Sequence, residues 1–333
     1  MSTKTSFQSE ESKIPVLVIF APTASGKTAL TRELFTPQGS HFILKAEIIS
    51  ADSQAVYKGM NIGTAKPEPQ LCAQLPHHLI DILTPDQQFN VSDFVDATDL
   101  ACKEIFARGH LPVVTGGTGF YIRSFLYGLA PTPVSDPKIR EELKKRINIE
   151  GNQKLYDELA AIDPQSAAKI HPNDAYRICR ALEVYYLSGK NRTSYKIEPQ
   201  LRPQYDFLFL VLEPEREVLY ERIRQRVELM FEAGLEEEVR ALVKKGYTKE
   251  SPGLKAIGYS EWFTEDGSLK GADCINQIKE EIKHHSCKYA KKQYTLIRDI
   301  PGSTIIDFSG SEENFEKISG KINVLADNYM LMV

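Results

Sequence analysis

The chain has 333 residues, and at roughly 150 residues per domain this length predicts about two domains. Hydrophobic residues make up 42% of the sequence and charged residues 26%, which excludes a collagen-like, disordered or disulfide-stapled chain. The 41 Lys and Arg residues against 45 Asp and Glu residues leave a net charge of −4. Any affinity for nucleic acid must therefore come from a local cluster of positive charge.

The cysteine spacing and the amino-terminal residues indicate the cellular compartment. The five cysteines, at positions 72, 102, 179, 274 and 287, form no CxxC pair, so we expect buried thiols rather than zinc ligands. Residues 1–13 contain only Met1 and Phe7 as apolar residues, which predicts a disordered tail and no signal peptide. The longest apolar runs are too short to cross a bilayer. We therefore expect a cytoplasmic protein without membrane contact.

The first half of the chain alternates strands with helices. Pro15–Phe20 is continuously apolar and β-branched, as strands buried on both faces of a parallel sheet are. A glycine-containing loop and a helix over Lys27–Phe35 follow it. Further strands are predicted at Ala46–Ser50, His78–Leu83, Leu111–Thr115, Tyr205–Leu212 and, weakly, Ser303–Phe308. With a helix over Phe94–Ala107 and another after Gly119, this order predicts an α/β protein with a doubly wound parallel sheet of the P-loop NTPase type.

The pattern changes after the Pro-rich segment Ala130–Val134. Only helical periodicity is found from Asp136 to about Lys190, and the sheet resumes at Tyr205. We therefore predict a discontinuous core formed by residues 14–130 and 204–326, interrupted by an all-helical insertion domain over residues 131–203. Within the second part of the core, helices are predicted near 215–233, 235–245 and 271–297, with a terminal helix beyond them.

The segment Ala21–Thr28 (APTASGKT) lies between the first strand and the first helix. It matches the phosphate-binding pattern GxxxxGK[ST] except that Ala21 replaces the first glycine. Amide groups at a helix N-terminus, the Lys27 ammonium and the Thr28 hydroxyl suit phosphate oxygens, and Thr28 also suits Mg²⁺. The predicted phosphate site contains Pro22, Thr23, Ala24, Ser25, Gly26, Lys27 and Thr28.

The machinery for nucleotide hydrolysis is not evident beside this loop. The strand Leu111–Thr115 ends in Thr115 and two glycines, where a P-loop NTPase usually carries a metal-binding acid. The acid that does follow a strand is Asp52. The sequence therefore predicts phosphate binding without nucleotide hydrolysis.

Eight blocks in order carry a resemblance to a known family. They are APTASGKT, IISADSQAVYKGMNIGTAKP (48–67), HHLIDI (77–82), GGTGFYI (116–122), HPNDAYRICRALEVY (171–185), RIRQRVELMFEAGLEEEVRAL (222–242), KAIGYSE (255–261) and YAKKQYTLIR (289–298). Together they resemble the bacterial tRNA dimethylallyltransferases, the IPP transferase family. The resemblance departs at Ala21 and at Gln54-Ala55, where family members usually have Gly and Met-Gln. It also departs at Tyr294 and Leu296-Ile297, where members often have an aromatic residue before the arginine.

The resemblance implies that a dimethylallyl group passes from dimethylallyl diphosphate to N6 of the adenine adjacent to the anticodon in tRNA, with release of diphosphate. It implies that Asp52 is the general base and that Thr118 donates to the bridging oxygen. The leaving diphosphate needs cations placed around it. Arg222 and Arg226, spaced i,i+4 on a helix, can clamp it, and Mg²⁺ neutralises the remaining charge. Asp52, Ser53 and Gln54 would contact the tRNA base.

A basic stripe near the carboxyl end also suits RNA. Lys283, Lys288, Lys291, Lys292 and Arg298 lie close together, with Tyr289 and Tyr294 interleaved, as phosphate contacts and base stacking require. The alternative is a solvated helix face. Arg177 and Arg180, on a helix capped by Asp174, are equally open to RNA contact or to a purely structural role.

Three other functions stay open from the residues. The first is the same prenyl transfer with free AMP or ATP as the acceptor. The second is a P-loop kinase or ATPase. The third is an RNA-binding protein with an inactive phosphate site. The helical insertion and the basic stripe favour tRNA as the acceptor, with dimethylallyl diphosphate as donor and a monomeric enzyme.

Overall fold

The structure is a computed structural model that describes residues 13–195, 200–298 and 300–331, with residues 297 and 298 described by their backbone alone. The predicted tail therefore lies outside the described residues, apart from Lys13. The chain forms two compact units. The first holds the described residues up to Leu126 and from Leu201 onward, and the second spans Tyr127–Gln200. These bounds differ by a few residues from the 131–203 expected for the insertion.

The first unit is built on a single sheet of six described strands. Its order is β3-β2-β4-β1-β5-β6, and every neighbouring pair is parallel. The strands are β1 (Ile14–Phe20), β2 (Ala46–Ser50), β3 (His77–His78), β4 (Leu111–Gly116), β5 (Tyr205–Leu212) and β6 (Thr304–Ile306). The predicted α/β class with a P-loop type of parallel sheet is confirmed. Because the strands are parallel, their carboxyl ends meet at one edge, where open α/β sheets bind ligands.

Helices flank this sheet. They are α1 (Lys27–Phe35), α2 (Pro69–Gln74), α3 (Val91–Ala107), α4 (Gly119–Tyr127), and then, after the second unit, α9 (Arg216–Glu232), α10 (Leu235–Lys244), α11 (Ile275–Arg298) and α12 (Glu312–Asp327). Leu17 and Ile19 of β1 pack in one cluster with Leu34 of α1 and Ile318 of α12. Val18, which points to the opposite face, is fully buried, and α3 contacts β1, β2 and β4. Residues buried on both faces explain why β1 is continuously apolar.

The strand predicted at His78–Leu83 is wrong beyond His78. Leu79 and Asp81 have φ of 62° and 54°, a left-handed conformation that interrupts the ladder after two residues. The amides of Asp81 and Ile82 instead donate to the carbonyls of Ala55 and Val56, at 3.1 and 2.9 Å. This contact fixes the segment that follows Asp52.

A second core lies beside α9, α10 and α11. It contains Tyr259 and Trp262, which are fully buried, together with Val227 and Ile282. Residues 246–274 supply part of it through short 3₁₀ turns rather than the longer elements that periodicity detects. Indole Nε1 of Trp262 donates to the carbonyl of Gly258 at 3.0 Å, which holds the turn against the core.

The second unit is helical. Its helices are α5 (Pro137–Glu150), α6 (Asn152–Ile162), α7 (Pro164–Ala167) and α8 (Ala175–Ser188). The Asp174 side chain accepts from the amide of Arg177 at 3.1 Å and so caps α8. Arg180 donates to Glu183 and to the carbonyl of Pro133, each at 2.8 Å, which gives it a structural role within this unit. In neither unit is a described helix both long and apolar enough to span a membrane.

Candidate active site

The phosphate loop joins β1 to α1 at the carboxyl edge of the sheet. Gly26, at the N-cap of α1, has φ of 93°, and Ala24 has φ of 62°, so the loop reverses direction over a few residues. The Ser25 hydroxyl donates to the carbonyl of Pro22 at 2.7 Å, which closes the loop on itself. Ala21 does not take a left-handed conformation, so the departure from glycine at this position introduces no backbone strain.

The Lys27 ammonium lies inside this loop. It donates to the carbonyls of Ala21 and Pro22, at 2.9 and 2.7 Å. Burial, and after it the charge of nearby Arg226, lower the pKa of Lys27 to about 7, an effect that Asp52 partly opposes. Thr28, the next residue, is exposed and free to meet a phosphate oxygen or a metal ion.

Arg226 reaches the loop from α9. Its Nη1 donates to Oγ1 of Thr23 at 3.1 Å, and burial lowers its pKa, an effect that Asp52 opposes. Among the described residues, no carboxylate lies within ion-pair distance of Lys27 or Arg226, although Asp52 acts on both through space. Two desolvated cations without counterions make a strong anion site. Arg222 lies one turn earlier on α9, partly exposed and outside the lining of the cavity.

Asp52 follows β2 at the same edge of the sheet. Its Oδ1 accepts from the amides of Gln54 and Ala55, at 2.8 and 3.4 Å, which fixes the carboxylate at the start of a turn. Ser53 and Gln54 line the same cavity as Asp52. Oε1 of Gln54 is shielded from solvent and has no hydrogen-bond partner among the described residues. An acceptor left unpaired there is available to a ligand.

The turn after β4 completes the edge. Thr118 Oγ1 accepts from the amide of Ser53 at 3.1 Å, which places Thr118 behind the Asp52 segment. From α11, the Tyr289 hydroxyl donates to the carbonyl of Gly117 at 3.4 Å. Burial, with Asp52 next, raises the pKa of Tyr289 to about 12, so the phenol remains a proton donor at neutral pH.

Gln293, one turn further along α11, was missed by sequence reasoning. Its amide bridges the loops that follow β1 and β4. A single glutamine on a basic helix belongs to no recognisable motif of its own. The only sequence signal for a role was its position inside the YAKKQYTLIR block.

Apart from Arg222 and Thr118, these groups share a cavity of about 450 Å³ within the first unit. The phosphate loop, Asp52, Arg226 and Gln293 line its polar part. Apolar side chains from α9, α11 and the segment around residue 257 line another part, namely Ile223, Val227, Met230, Ile257 and Ile282. The cavity therefore offers an anion site, a carboxylate and an apolar wall together.

The predicted basic stripe lies on a different face of α11 from the cavity lining. Lys288, Lys291 and Lys292 are exposed, whereas Lys283 pairs with Glu228 and Glu280, both at 2.7 Å. The Arg298 side chain lies outside the described part of the structure.

The two adjacent histidines have separate surroundings. His77 lines the cavity, and burial lowers its pKa, so its ring is neutral at pH 7. Nε2 of His78 contacts Glu47 at 2.7 Å, away from the lining. Among the described residues, no three His, Cys, Asp or Glu side chains converge to hold a metal ion without a ligand's help.

Comparisons with known proteins show which family the chain resembles. Residues 55–300 match the sequence model of the family described as IPP transferase. The chain is 40% identical over 309 residues to a tRNA dimethylallyltransferase of Geobacter sulfurreducens, covering 92% of this chain and 96% of the relative. It is 39% identical over 321 residues to the tRNA dimethylallyltransferase of Bacillus subtilis, covering 94% and 99%.

Solved structures give the same result. A tRNA isopentenylpyrophosphate transferase from Bacillus halodurans aligns with a TM-score of 0.66 at 34% identity, over 96% of this chain and 98% of that one. A eukaryotic dimethylallyltransferase, described as acting on tRNA, aligns with a TM-score of 0.75 at 27% identity, over 94% of this chain and 78% of that one.

Proposed function

We propose that this chain, which belongs to the IPP transferase family, takes its prenyl group from dimethylallyl diphosphate and transfers it to N6 of the adenine adjacent to the anticodon. It is an enzyme, a prenyltransferase that transfers a dimethylallyl group to tRNA. The observation that carries the proposal is the cavity that joins the phosphate loop, two unpaired cations, Asp52 and an apolar wall.

The diphosphate binds on the loop Pro22–Thr28. Amides at the start of α1 and the Lys27 ammonium contact its oxygens, and Arg226 approaches from the other side. Arg222 joins the clamp from the previous turn of α9. Negative charge grows on the diphosphate as its C–O bond to the prenyl group breaks, so these groups stabilise the transition state more than the ground state.

Mg²⁺ fits this site through a substrate-assisted set of ligands. Magnesium commonly takes one or two protein oxygens together with phosphate oxygens and water, so a protein-only cluster is not required. The exposed Thr28 hydroxyl is the protein ligand that we assign, and the ion would neutralise charge on the leaving diphosphate.

Asp52 acts on the acceptor. The exocyclic amine of adenine is a weak nucleophile, because its lone pair is delocalised into the ring. As the N6–C bond forms, one N6 proton passes to the Asp52 carboxylate. The backbone amides that hold Oδ1 orient the group for this transfer. Thr118, held against Ser53, donates to the bridging oxygen as it leaves with the diphosphate.

The apolar wall suits the five-carbon chain. Ile223, Val227, Met230 and Ile282 bury the branched methyl groups and keep water from the allylic carbon during transfer. Hydrolysis of the donor is thereby disfavoured.

The tRNA contributes a base that must leave its stack to reach Asp52. Ser53 and Gln54 then contact the base edge, with the unpaired Gln54 oxygen accepting from the N6 hydrogen that does not pass to Asp52. Lys288, Lys291, Lys292 and Arg298 contact the phosphate backbone, and the helical unit over 127–200 contacts another part of the tRNA. We expect a monomer, and a location in the cytoplasm, where tRNA is modified.

A transfer assay tests the proposal. Purified protein is incubated with Mg²⁺, dimethylallyl diphosphate and either unmodified tRNA or AMP, and the nucleosides are identified by mass spectrometry. We expect adenosine carrying one dimethylallyl group from tRNA alone. The same product from AMP alone would assign a free nucleotide as acceptor. Bound but unmodified tRNA would instead indicate an RNA-binding protein, and an ATP hydrolysis assay would then test the loop.

A further inference from the structure

Gln293 makes two long-range hydrogen bonds from a buried position on α11. Its side chain is 4% exposed. Oε1 accepts from the backbone amide of Thr23 at 3.2 Å, and Nε2 donates to the carbonyl of Gly117 at 2.7 Å. A single primary amide thus satisfies one donor on the phosphate loop and one acceptor on the turn after β4.

The fit around this amide is close. A Cβ atom added to Gly117 would lie 2.4 Å from Nε2 of Gln293, so the backbone there has room for the amide only because Gly117 has no side chain. Thr23 is held from its other side by Arg226, which donates to its hydroxyl. The phosphate loop is therefore fixed at one residue by side chains from two helices, α9 and α11.

We propose that Gln293 is a positioning residue for the diphosphate, which it serves by holding the Thr23 amide and the Gly117 turn in one arrangement. The inference rests on the proposed function, in which this loop binds dimethylallyl diphosphate. Gln293 contacts no reacting atom; it determines where the loop amides and Lys27 stand. A primary amide is required because the two partners are a donor and an acceptor.

Two variants and one control separate this role from others. Gln293→Met keeps the length and volume but loses both hydrogen bonds. Gln293→Glu keeps an acceptor for the Thr23 amide and, while ionised, places an oxygen against the Gly117 carbonyl. Gln277→Met is the matched control, since Gln277 is an exposed glutamine on the same helix whose side chain bonds to Glu281 alone among the described residues.

We expect Gln293→Met to weaken the binding of inorganic pyrophosphate with Mg²⁺ by about tenfold, from the loss of two hydrogen bonds. The KM for dimethylallyl diphosphate should rise by a similar factor, with a smaller change in kcat. The Kd for tRNA and all constants of Gln277→Met should stay at the wild-type values.

The pH profile of Gln293→Glu gives the readout that a general packing role would not move. Burial against the Gly117 carbonyl raises the pKa of this carboxyl and the Arg226 and Lys27 cations beside the same loop lower it, so the group becomes protonated as the pH falls. The protonated form can donate to Gly117 and accept from Thr23, as the native amide does. The ratio of variant to wild-type pyrophosphate Kd should therefore be largest at pH 8 and fall toward one as the pH is lowered.

Three outcomes would overturn the proposal. Loss of tRNA affinity in Gln293→Met with pyrophosphate binding intact would make Gln293 an RNA contact. Equal weakening of Gln293→Glu at every pH would leave only a packing role. Wild-type protein that binds no pyrophosphate would overturn the proposed function itself, which is distinguishable because it appears without any substitution.

Discussion

The guanidinium of Arg226 donates to the hydroxyl of Thr23 at 3.1 Å, which joins two residues that lie 203 positions apart. Arg226 therefore meets the phosphate loop directly, while Arg222 stands outside the cavity lining. The i,i+4 spacing predicts that both arginines lie on one helix face. The structure shows that Arg226 contacts the loop and that Arg222 lies outside the cavity lining.

The first prediction concerns the shape of this cation. Arg226→Lys keeps the charge but loses the planar pair of donors, so we expect the KM for dimethylallyl diphosphate to rise by about tenfold or more. Steady-state kinetics against the donor measure this change. Arg224→Lys, an exposed arginine paired with Glu221 on the same helix, is the control. Equal effects at positions 224 and 226 would contradict a specific diphosphate contact, and Arg222→Lys should lie between them.

The second prediction concerns Asp52. Asp52→Asn preserves an oxygen that accepts from the amide of Gln54, so the turn should keep its shape. The amide cannot take up the N6 proton, and we expect the rate of single-turnover transfer to fall by about 10²–10⁴-fold. Pyrophosphate binding should change little, because Asp52 is not a donor to the anion. Retention of the wild-type rate would remove Asp52 as the base.

Sequence reasoning found the parts of the fold that local pattern determines. β1, β4 and β5 are mostly apolar, as strands buried on both faces are, β2 carries Glu47 beside its apolar residues, and helices alternate with these strands along the chain. The predicted third strand was wrong from Leu79 onward, because the spacing of apolar residues does not reveal left-handed backbone angles. The 3₁₀ turns over residues 246–274 were missed because segments of three residues have no periodicity.

The candidate site divides in the same way. Lys27 was predicted from the phosphate-loop pattern and Asp52 as the acid that follows a strand, and both side chains line the cavity. Gln293 was not found, because its importance comes from two backbone groups that only the folded chain brings near it. The apolar wall was also missed, since Val227 and Ile282 read as ordinary core positions of two distant helices.

The third prediction follows from the pKa of Lys27, which burial lowers to about 7. Bound diphosphate stabilises the ammonium and raises this pKa, so binding takes up a proton whenever the free protein has a neutral Lys27. Donor affinity should be nearly constant below pH 7 and fall by up to tenfold per unit above it. Isothermal titration with pyrophosphate and Mg²⁺ from pH 6 to pH 9 measures this slope.

Lys27→Arg is the control for that slope, because arginine stays charged over the whole range. Its pyrophosphate affinity should be lower overall but flat with pH once the ionisation of the ligand is subtracted. The same slope in both proteins would assign the pH dependence to another group.

The fourth prediction concerns the exposed lysines on α11. If Lys288, Lys291 and Lys292 contact tRNA phosphates, each alanine substitution should reduce the slope of log K against log salt by about 0.7–0.9. Lys283→Ala, which removes a lysine already paired with Glu228 and Glu280, is the control and should leave the slope unchanged. Fluorescence titrations of tRNA at several salt concentrations measure this slope for each variant. A slope unaffected by the triple substitution would make the stripe a solvated face.

The last prediction concerns stability and a carboxylate far from the chemistry. Glu47 of β2 is buried, and it accepts from Arg108 through both oxygens at 2.8 Å and contacts His78 and His110 at 2.7 and 2.9 Å. Burial alone would raise its pKa, but these partners hold the pKa at about 2. Because the folded value lies below the ordinary 4.5, the stabilisation is complete above pH 4.5 and is lost as the pH falls toward 2.

Glu47→Gln should therefore lower the free energy of unfolding by about 1–2 kcal/mol at pH 7, because it weakens the charge-assisted hydrogen bonds to the buried carboxylate, while solvent screens the half-exposed Arg108 charge that remains. The loss should shrink between pH 4.5 and pH 2, where the native carboxylate itself becomes protonated. Thermal melts of both proteins across this range measure the difference in Tm. Glu221→Gln, which removes an exposed carboxylate paired with Arg224, is the control and should melt with the native protein. A Tm difference for Glu47→Gln that stays constant down to pH 2 would place its origin in packing rather than in charge.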